Sequence, residues 1–317
     1  ARRPGGPYRD RACTQARQRG ACVMTFRDDL LEAGVLVAGG SLGVYGRSKD
    51  FEDVVSGISG LVRDRAESVT TTLHFPPVLG RDDFTRTGYL ASFPDLIGSL
   101  NTFRGGDAEH AALLASYEAG DDWTTALVPA DVMLCSAACH PLYPTLAGAL
   151  GEDRVFDVRG WVFRAEPSID PARMQAFRQH EMVFVGTADG AEAHRDRWLA
   201  NGIELLSGLG LPVEQVVAND PFFGRAGRIL ASGQRGEELK YELVCEVANA
   251  DAPTAITSTN LHRDHFGVDF SITLPDGTAA HSACIGFGLE RITLALLRHH
   301  GVSVAEWPAS VRSQLSL

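Results

Sequence analysis

Residues 161–187, WVFRAEPSIDPARMQAFRQHEMVFVGT, constrain the fold most, because they read as a strand, a loop and a return strand with charge at alternating positions. Side chains two apart on a strand share a face. Arg164 and Glu166 are therefore expected to point the same way, with Phe177 and Glu181 beside them on an antiparallel return strand. Such a face offers a guanidinium for phosphate, a carboxylate acceptor for an amino group and an aromatic plate for a flat base. Taken alone, an alternating charged strand is usually a solvated face.

The rest of the chain predicts partners for this hairpin. Strands are expected at 160–165 and 181–187 in the hairpin and at 240–248 and 254–259 beyond it, each rich in β-branched or aromatic residues. A surface helix is expected over 190–208, and a last helix from about Gly288 to the stop signal at Gly301. Residues 28–68 read as one or two amphipathic helices, with Leu30, Phe51, Val54, Val55, Ile58 and Val62 at helical spacing. The class is α+β, with an antiparallel sheet flanked by helices. The expected organisation is a disordered or added basic tail (1–24), a small helical segment (25–69) and one catalytic domain (70–317). The tail carries six arginines and no apolar core of the kind a secretory signal needs, and Met24 reads as an alternative start.

Composition excludes several classes. No run of about 18 apolar residues occurs, so no membrane-spanning helix is expected. The net charge of −11, with no lysine and arginine cluster outside the tail, argues against an extended nucleic-acid surface. Six cysteines at 13, 22, 135, 139, 245 and 284 are too scattered for a disulfide scaffold, which points to a reducing cytoplasm.

A second element, CIGFGLERITLALL, sets Gly286 and Gly288 just before Glu290, Arg291 and an apolar helical run. Glycine there permits a turn or close approach of a ligand. Arg291 falls in the first helical turn, where the helix dipole disfavours a cation. Serving a ligand would explain it there; a capped core helix is the plainer reading.

In this order the two elements resemble motifs 2 and 3 of class II aminoacyl-tRNA synthetases of the seryl type: FRAE and RMQAFRQHE for motif 2, GFGLER for motif 3. FPPVLGRDDFTRTGYLASFP, LSGLGLPVEQVVANDPFFG, KYELVCEV and AITSTN resemble further seryl segments, so that the resemblance spans roughly residues 70–300. It implies a class II synthetase-like catalytic domain that forms an aminoacyl-adenylate from ATP. On this resemblance Arg164 binds the α-phosphate, Glu166 reads the adenine amino group, and Arg173 meets the γ-phosphate. Phe177 and Arg291 enclose adenine. Met174, Lys240, Ala255, Ile256, Thr257 and Ser258 complete the ATP site, and Arg164 and Arg291 are the catalytic pair. Ala255 stands where the seryl family carries a glutamate that ligates magnesium on the phosphates.

CHPLYP and HSACIG resemble the zinc-binding segments of methanogenic-type seryl synthetases and of their shortened relatives, the amino acid:carrier protein ligases. The implied ligands are Cys139, Glu181 and Cys284, with one zinc per subunit and the fourth position left to the amino group of the substrate. Spacing alone does not single out Cys139 over Cys135, and both read as core residues on composition. Between Asp28 and Val69 neither sustained heptads nor a basic face is seen, so the tRNA-gripping arm of the seryl synthetases is not expected. The function implied is activation of glycine or alanine and transfer to the phosphopantetheine thiol of a carrier protein, by a cytoplasmic homodimer using zinc and magnesium–ATP. A minimal tRNA aminoacylating enzyme and a non-catalytic regulatory binding module are the alternatives.

Overall fold

The computed structural model describes residues 25–66, 69, 71–218, 239–249 and 251–317. The basic tail, Cys13, Cys22 and the 219–224 part of the linking segment lie outside the described residues.

The chain opens with α1 (Phe26–Glu32), whose capping box joins Thr25 and Asp28. The sequence expectation of helix across 28–68 is corrected between its two ends. There β1 (Leu36–Ala38) and β2 (Tyr45–Arg47) form an antiparallel hairpin. Glycines at 34, 39, 40, 43 and 46 account for the difference, since Gly34 and Gly43 adopt positive φ and glycine disfavours helix. α2 (Lys49–Asp64) follows, capped by Ser48, and buries Phe51, Val54, Val55, Ile58 and Val62 along one stripe.

β3 (Thr71–His74) joins the main sheet, and β4 (Val78–Gly80), β5 (Ser99–Phe103) and β6 (Leu127–Leu134) form a small three-stranded sheet in the order β4-β6-β5. α3 (Arg81–Arg86) and α4 (Tyr89–Ser92) lie between β4 and β5, and α5 (Asp107–Ala119) lies between β5 and β6. After the short β7 (Gly148–Ala149) come the long antiparallel pair β8 (Arg154–Phe163) and β9 (Ala176–Gly186), then α6 (Ala188–Gly208). The chain continues with β10 (Glu214–Val217), β11 (Lys240–Cys245), β12 (Thr254–Arg263), α7 (His265–Asp269), β13 (Ile272–Thr273), β14 (His281–Gly288), α8 (Leu289–His300) and α9 (Ala309–Gln314).

The main sheet runs β10-β11-β12-β14-β9-β8-β3, and every neighbouring pair is antiparallel except β3 with β8. Alternation divides its two faces. Met182, Leu243, Ile256, Ile285 and Phe287 point into a core shared with α1, α2, α6 and α8, where Leu30, Phe51, Ile58, Trp198 and Leu296 meet them. Residues 25–66 thus bury their apolar stripe in the same core as the sheet. At about 25 cal/mol per Å² of apolar surface removed from water, this shared core is the main stabilising term. The opposite face carries a second cluster around Leu142, Tyr143, Phe156, Val183, Phe266 and Phe270, and beside it the sheet opens into a cleft. Among the described residues no helix is long and apolar enough to cross a membrane.

Candidate active site

The floor of the cleft is built from alternate positions on four adjacent strands. Ladder register sets Glu242 of β11 opposite Ser258 of β12, Ser258 opposite Gly286 of β14, and Gly286 opposite Glu181 of β9. One step along, Lys240, Asn260 and Cys284 form a parallel row. Strand periodicity puts Phe177, Gln179 and Glu181 on this face as well. A side chain at Gly288 would meet the Ile256 carbonyl oxygen at 3.2 Å and rise from the floor, so glycine leaves the space open.

Two adjoining chambers stand on this floor, of about 500 and 420 Å³, and they share Tyr89, Phe93, Arg164, Gln179, Lys240, Ser258 and Gly286. The first holds most of the residues that the sequence assigned to a nucleotide: Arg164, Glu166, Arg173, Phe177, Lys240, Ala255, Ile256, Thr257, Ser258 and Arg291. Met174 does not line it. Met174 is buried in the main core, and its sulfur accepts a hydrogen bond from Arg47.

Arginines bracket the Phe177 ring: the guanidinium carbons of Arg164 and Arg291 lie 5.5 and 5.7 Å from its centre. Arg291 is fixed by donating from Nε to the Ala172 carbonyl and from an Nη to the Ala255 carbonyl. Burial, reinforced by Arg164 nearby, lowers its pKa to about 10, so it stays cationic at neutral pH. Among the described residues the buried Nε of Arg164 has no hydrogen-bond partner. Such an orphan on a cation at a cleft marks a place for an anion.

The expectation that Arg164 and Glu166 share a strand face is corrected. β8 ends at Phe163, whose N–H donates to the Cys135 carbonyl, and Ala165 donates to Leu96. Arg164 N–H still donates across the hairpin to the Gln175 carbonyl at 2.9 Å, and past it the chain follows neighbouring loops. Glu166 N–H closes a tight turn on the Arg164 carbonyl at 2.7 Å. Glu166 is paired with Arg173 at 3.1 Å, and Arg173 also faces Asp170 at 3.9 Å. These two residues reach the chamber wall together, held by each other.

The second chamber contains Cys139, Glu181 and Cys284, all buried, with one donor atom of each within 4.8 Å of the others. Cys135, the rival from spacing, packs instead with Leu79, Phe84 and Met133. Glu181 is oriented by the Ala138 N–H, which donates to its Oε1 at 2.9 Å. Burial, then the Cys284 sulfur, raise the Glu181 carboxyl to about 8. A hydrogen bond with Cys139 holds the Cys284 thiol well below the usual range, and the same contact together with burial drives Cys139 well above it. Three acids sharing one buried position cannot all ionise without a compensating charge. The cluster thus has the donor chemistry and closeness of a cation site. Tetrahedral zinc with two thiolates and a carboxylate needs donor separations of about 3.3–3.8 Å, which lie inside the 4.8 Å bound on this set.

Sequence reasoning missed Gln179, Glu242, Asn260 and His262. Their signal was strand alternation: Gln179 lies between Phe177 and Glu181, Glu242 two after Lys240, and Asn260 and His262 follow Ser258 at steps of two.

No family model matches the chain. The chain is 43% identical to amino acid–acyl-carrier-protein ligase 2 of Bradyrhizobium diazoefficiens, over 88% of this chain and 84% of that protein. It is 40% identical to ligase 1 of the same organism, over 88% and 86% of the two chains. Among solved structures it superposes with a TM-score of 0.76 on M. kandleri SerRS, crystallised in complex with A. aeolicus tRNASec, at 20% identity. That match covers 94% of this chain and 62% of the other, and it establishes the fold as that of a class II aminoacyl-tRNA synthetase catalytic domain.

Proposed function

The chain belongs to the amino acid–acyl-carrier-protein ligases, and from this we propose that it activates a small amino acid, glycine or alanine, as its adenylate and passes it to the phosphopantetheine thiol of a carrier protein. The observation that carries this reading is the sharing of one sheet face by two chambers. The arginine-lined chamber abuts the Cys139, Glu181 and Cys284 cluster, with Arg164, Gln179 and Gly286 common to both. An amino acid held by its amino group at the cluster then directs its carboxylate toward a phosphate on Arg164.

In the first step a carboxylate oxygen of the amino acid attacks the α-phosphorus of ATP, the bond to the bridging oxygen breaks, and pyrophosphate leaves. Phe177 and Arg291 hold the adenine. Arg164 stabilises charge growing on the α-phosphate, as preorganised donors do in a site shielded from water. Glu166 accepts from the adenine amino group, and Arg173, released from it, meets the γ-phosphate. In the second step the thiol loses its proton, its sulfur attacks the aminoacyl carbonyl carbon, and AMP departs to leave a thioester.

Cys139, Glu181 and Cys284 would hold zinc, which would supply a Lewis-acidic place for the amino group of the substrate. Magnesium accompanies ATP. With Ala255 where a glutamate is expected, Glu242, on the wall of the same chamber, is the carboxylate we assign to magnesium on the phosphates. A homodimer in the cytoplasm completes the reading. The free, buried thiols at 135, 139, 245 and 284 suit a reducing compartment, and sedimentation of the purified chain tests the dimer.

The deciding experiment is the intact mass of a phosphopantetheinylated carrier protein after incubation with enzyme, ATP, magnesium, zinc and single amino acids. A glycyl or alanyl increment on the modified carrier, and none on the unmodified one, is expected. No increment with any amino acid, alongside intact amino-acid-dependent ATP–pyrophosphate exchange, would redirect the transfer step to another acceptor.

A further inference from the structure

The β12–β14 ladder is regular from Thr257 opposite Phe287 to Leu261 opposite Ala283, and then slips so that Arg263, not His262, stands opposite Ser282. His262 is the extra residue of a bulge, and Arg263 after it takes φ +56°, a left-handed conformation uncommon for a residue with a side chain. Bulges beside sites re-aim side chains. In an unbroken ladder His262 would face Ser282 directly and be only a diagonal neighbour of Cys284, about 7–8 Å away. The slip sets the imidazole between the two. Its Nδ1 lies 3.1 Å from the Ser282 hydroxyl oxygen, and its Nε2 lies 3.6 Å from the Cys284 sulfur. Asn260 directs its side-chain amide at the same sulfur from 3.9 Å.

The hydrogen-bond roles follow from the partners. Ser282 is buried, with 1% exposure, and its hydroxyl can donate to Nδ1. That leaves the hydrogen on Nε2, pointing at Cys284. A sulfur that ligates a metal is an acceptor with lone pairs to spare, so both neighbours present the complementary group. His262 is not itself within the set of donor atoms that lie mutually within 4.8 Å, so it contacts the Cys284 sulfur from outside the ligand set.

We infer that His262 is a positioning residue of the metal centre: fixed by Ser282 and assisted by Asn260, it holds the Cys284 sulfur in its ligating orientation and thereby sets metal affinity. This rests on the zinc reading above and adds to it a group outside the ligand set. Partners of this kind orient ligands and typically contribute about 10- to 100-fold in metal affinity.

The test compares the wild-type chain with His262→Ala, His262→Gln and Ser282→Ala. Zinc affinity is measured by competition with a chromophoric chelator, and the thiolate-to-metal charge-transfer band is recorded on the cobalt-substituted protein. His262→Ala is expected to weaken zinc binding about 10- to 100-fold and to alter the cobalt band, while His262→Gln, which keeps an N–H donor, recovers most of both. Ser282→Ala should move both readouts in the direction of His262→Ala, and it carries the test should His262→Ala fail to fold. Unchanged affinity and an unchanged band in the folded His262 and Ser282 variants would overturn the inference while leaving the zinc reading standing. Failure of the wild-type chain to bind either metal would remove that reading and this inference with it.

Discussion

Arg178 donates its backbone N–H to one carboxylate oxygen of Glu290 at 2.6 Å and its Nε to the other at 2.7 Å. Glu290 is 1% exposed and lies in the first turn of α8; Arg178 follows Phe177 on β9. The pair therefore joins the two backbone segments that carry the Phe177 ring and Arg291. The far end of Arg178 forks onto Glu52 of α2, so the amino-terminal helix is tied to the same point.

Removing one partner of a buried, hydrogen-bonded ion pair costs about 3–5 kcal/mol when the other charge is left uncompensated. After Glu290→Ala, Glu52 still pairs with Arg178, so urea unfolding is expected to show a loss of at most about 3 kcal/mol. Glu52→Ala, on a side chain 41% exposed, should cost far less. Equal losses in the two variants would contradict the clamp.

Arg164→Ala is expected to slow ATP–pyrophosphate exchange by about 100- to 1,000-fold, the usual consequence of deleting a donor to charge that develops in the transition state. Phe177→Ala should instead act mainly on the KM for ATP. Steady-state kinetics that show the reverse split would reassign the two residues.

Cys284→Ala is expected to abolish stoichiometric zinc on elemental analysis and to abolish amino-acid-dependent exchange, whereas Cys135→Ala, outside the cluster, should retain both. Full zinc and activity in Cys284→Ala would remove the metal assignment.

Glu242→Gln should raise the magnesium concentration needed for half-maximal exchange, and Ala255→Glu in that background should lower it again. A magnesium dependence unmoved by Glu242→Gln would show that the carboxylate has no part in the metal–phosphate contact.

His194 donates from Nε2 to the Met182 carbonyl at 3.0 Å, and its Nδ1 is buried with no partner among the described residues. Protonation would create a buried N–H with nothing to accept it. Burial lowers the pKa to about 4 from 6.5. The folded state therefore binds this proton less readily than the unfolded one, and the stabilisation is fully present above pH 6.5 and is lost as pH falls toward 4. The slope approaches about 1.4 kcal/mol per pH unit. His194→Gln, which keeps a donor for Met182, is expected to flatten the stability profile in that window; a profile parallel to wild type would assign the acid sensitivity elsewhere.

The α+β class, the hairpin of β8 and β9, and the start of α8 at Gly288 could be read from alternation, glycines and helical spacing, because those patterns depend only on neighbours in the chain. The resemblance of FRAE, RMQAFRQHE, GFGLER, KYELVCEV and AITSTN named ten of the residues that line the first chamber. It also named Met174, which the structure buries in the core, since a motif records order along the chain and not the direction of every side chain. The hairpin of β1 and β2 escaped a helical reading of its flanks.

The sequence by itself determined β8, β9, β11, β12, α6 and α8 and which of their aromatic and sulfur-bearing residues fall on alternating or helical faces, because local backbone geometry decides those things. The resemblance named Cys139, Glu181 and Cys284, but only tertiary structure decided that the three meet while Cys135 packs elsewhere, and that Glu242 and His262 join the cleft. Those contacts depend on ladder register and on one bulge between strands far apart in sequence, where a slip of one residue changes which side chains meet.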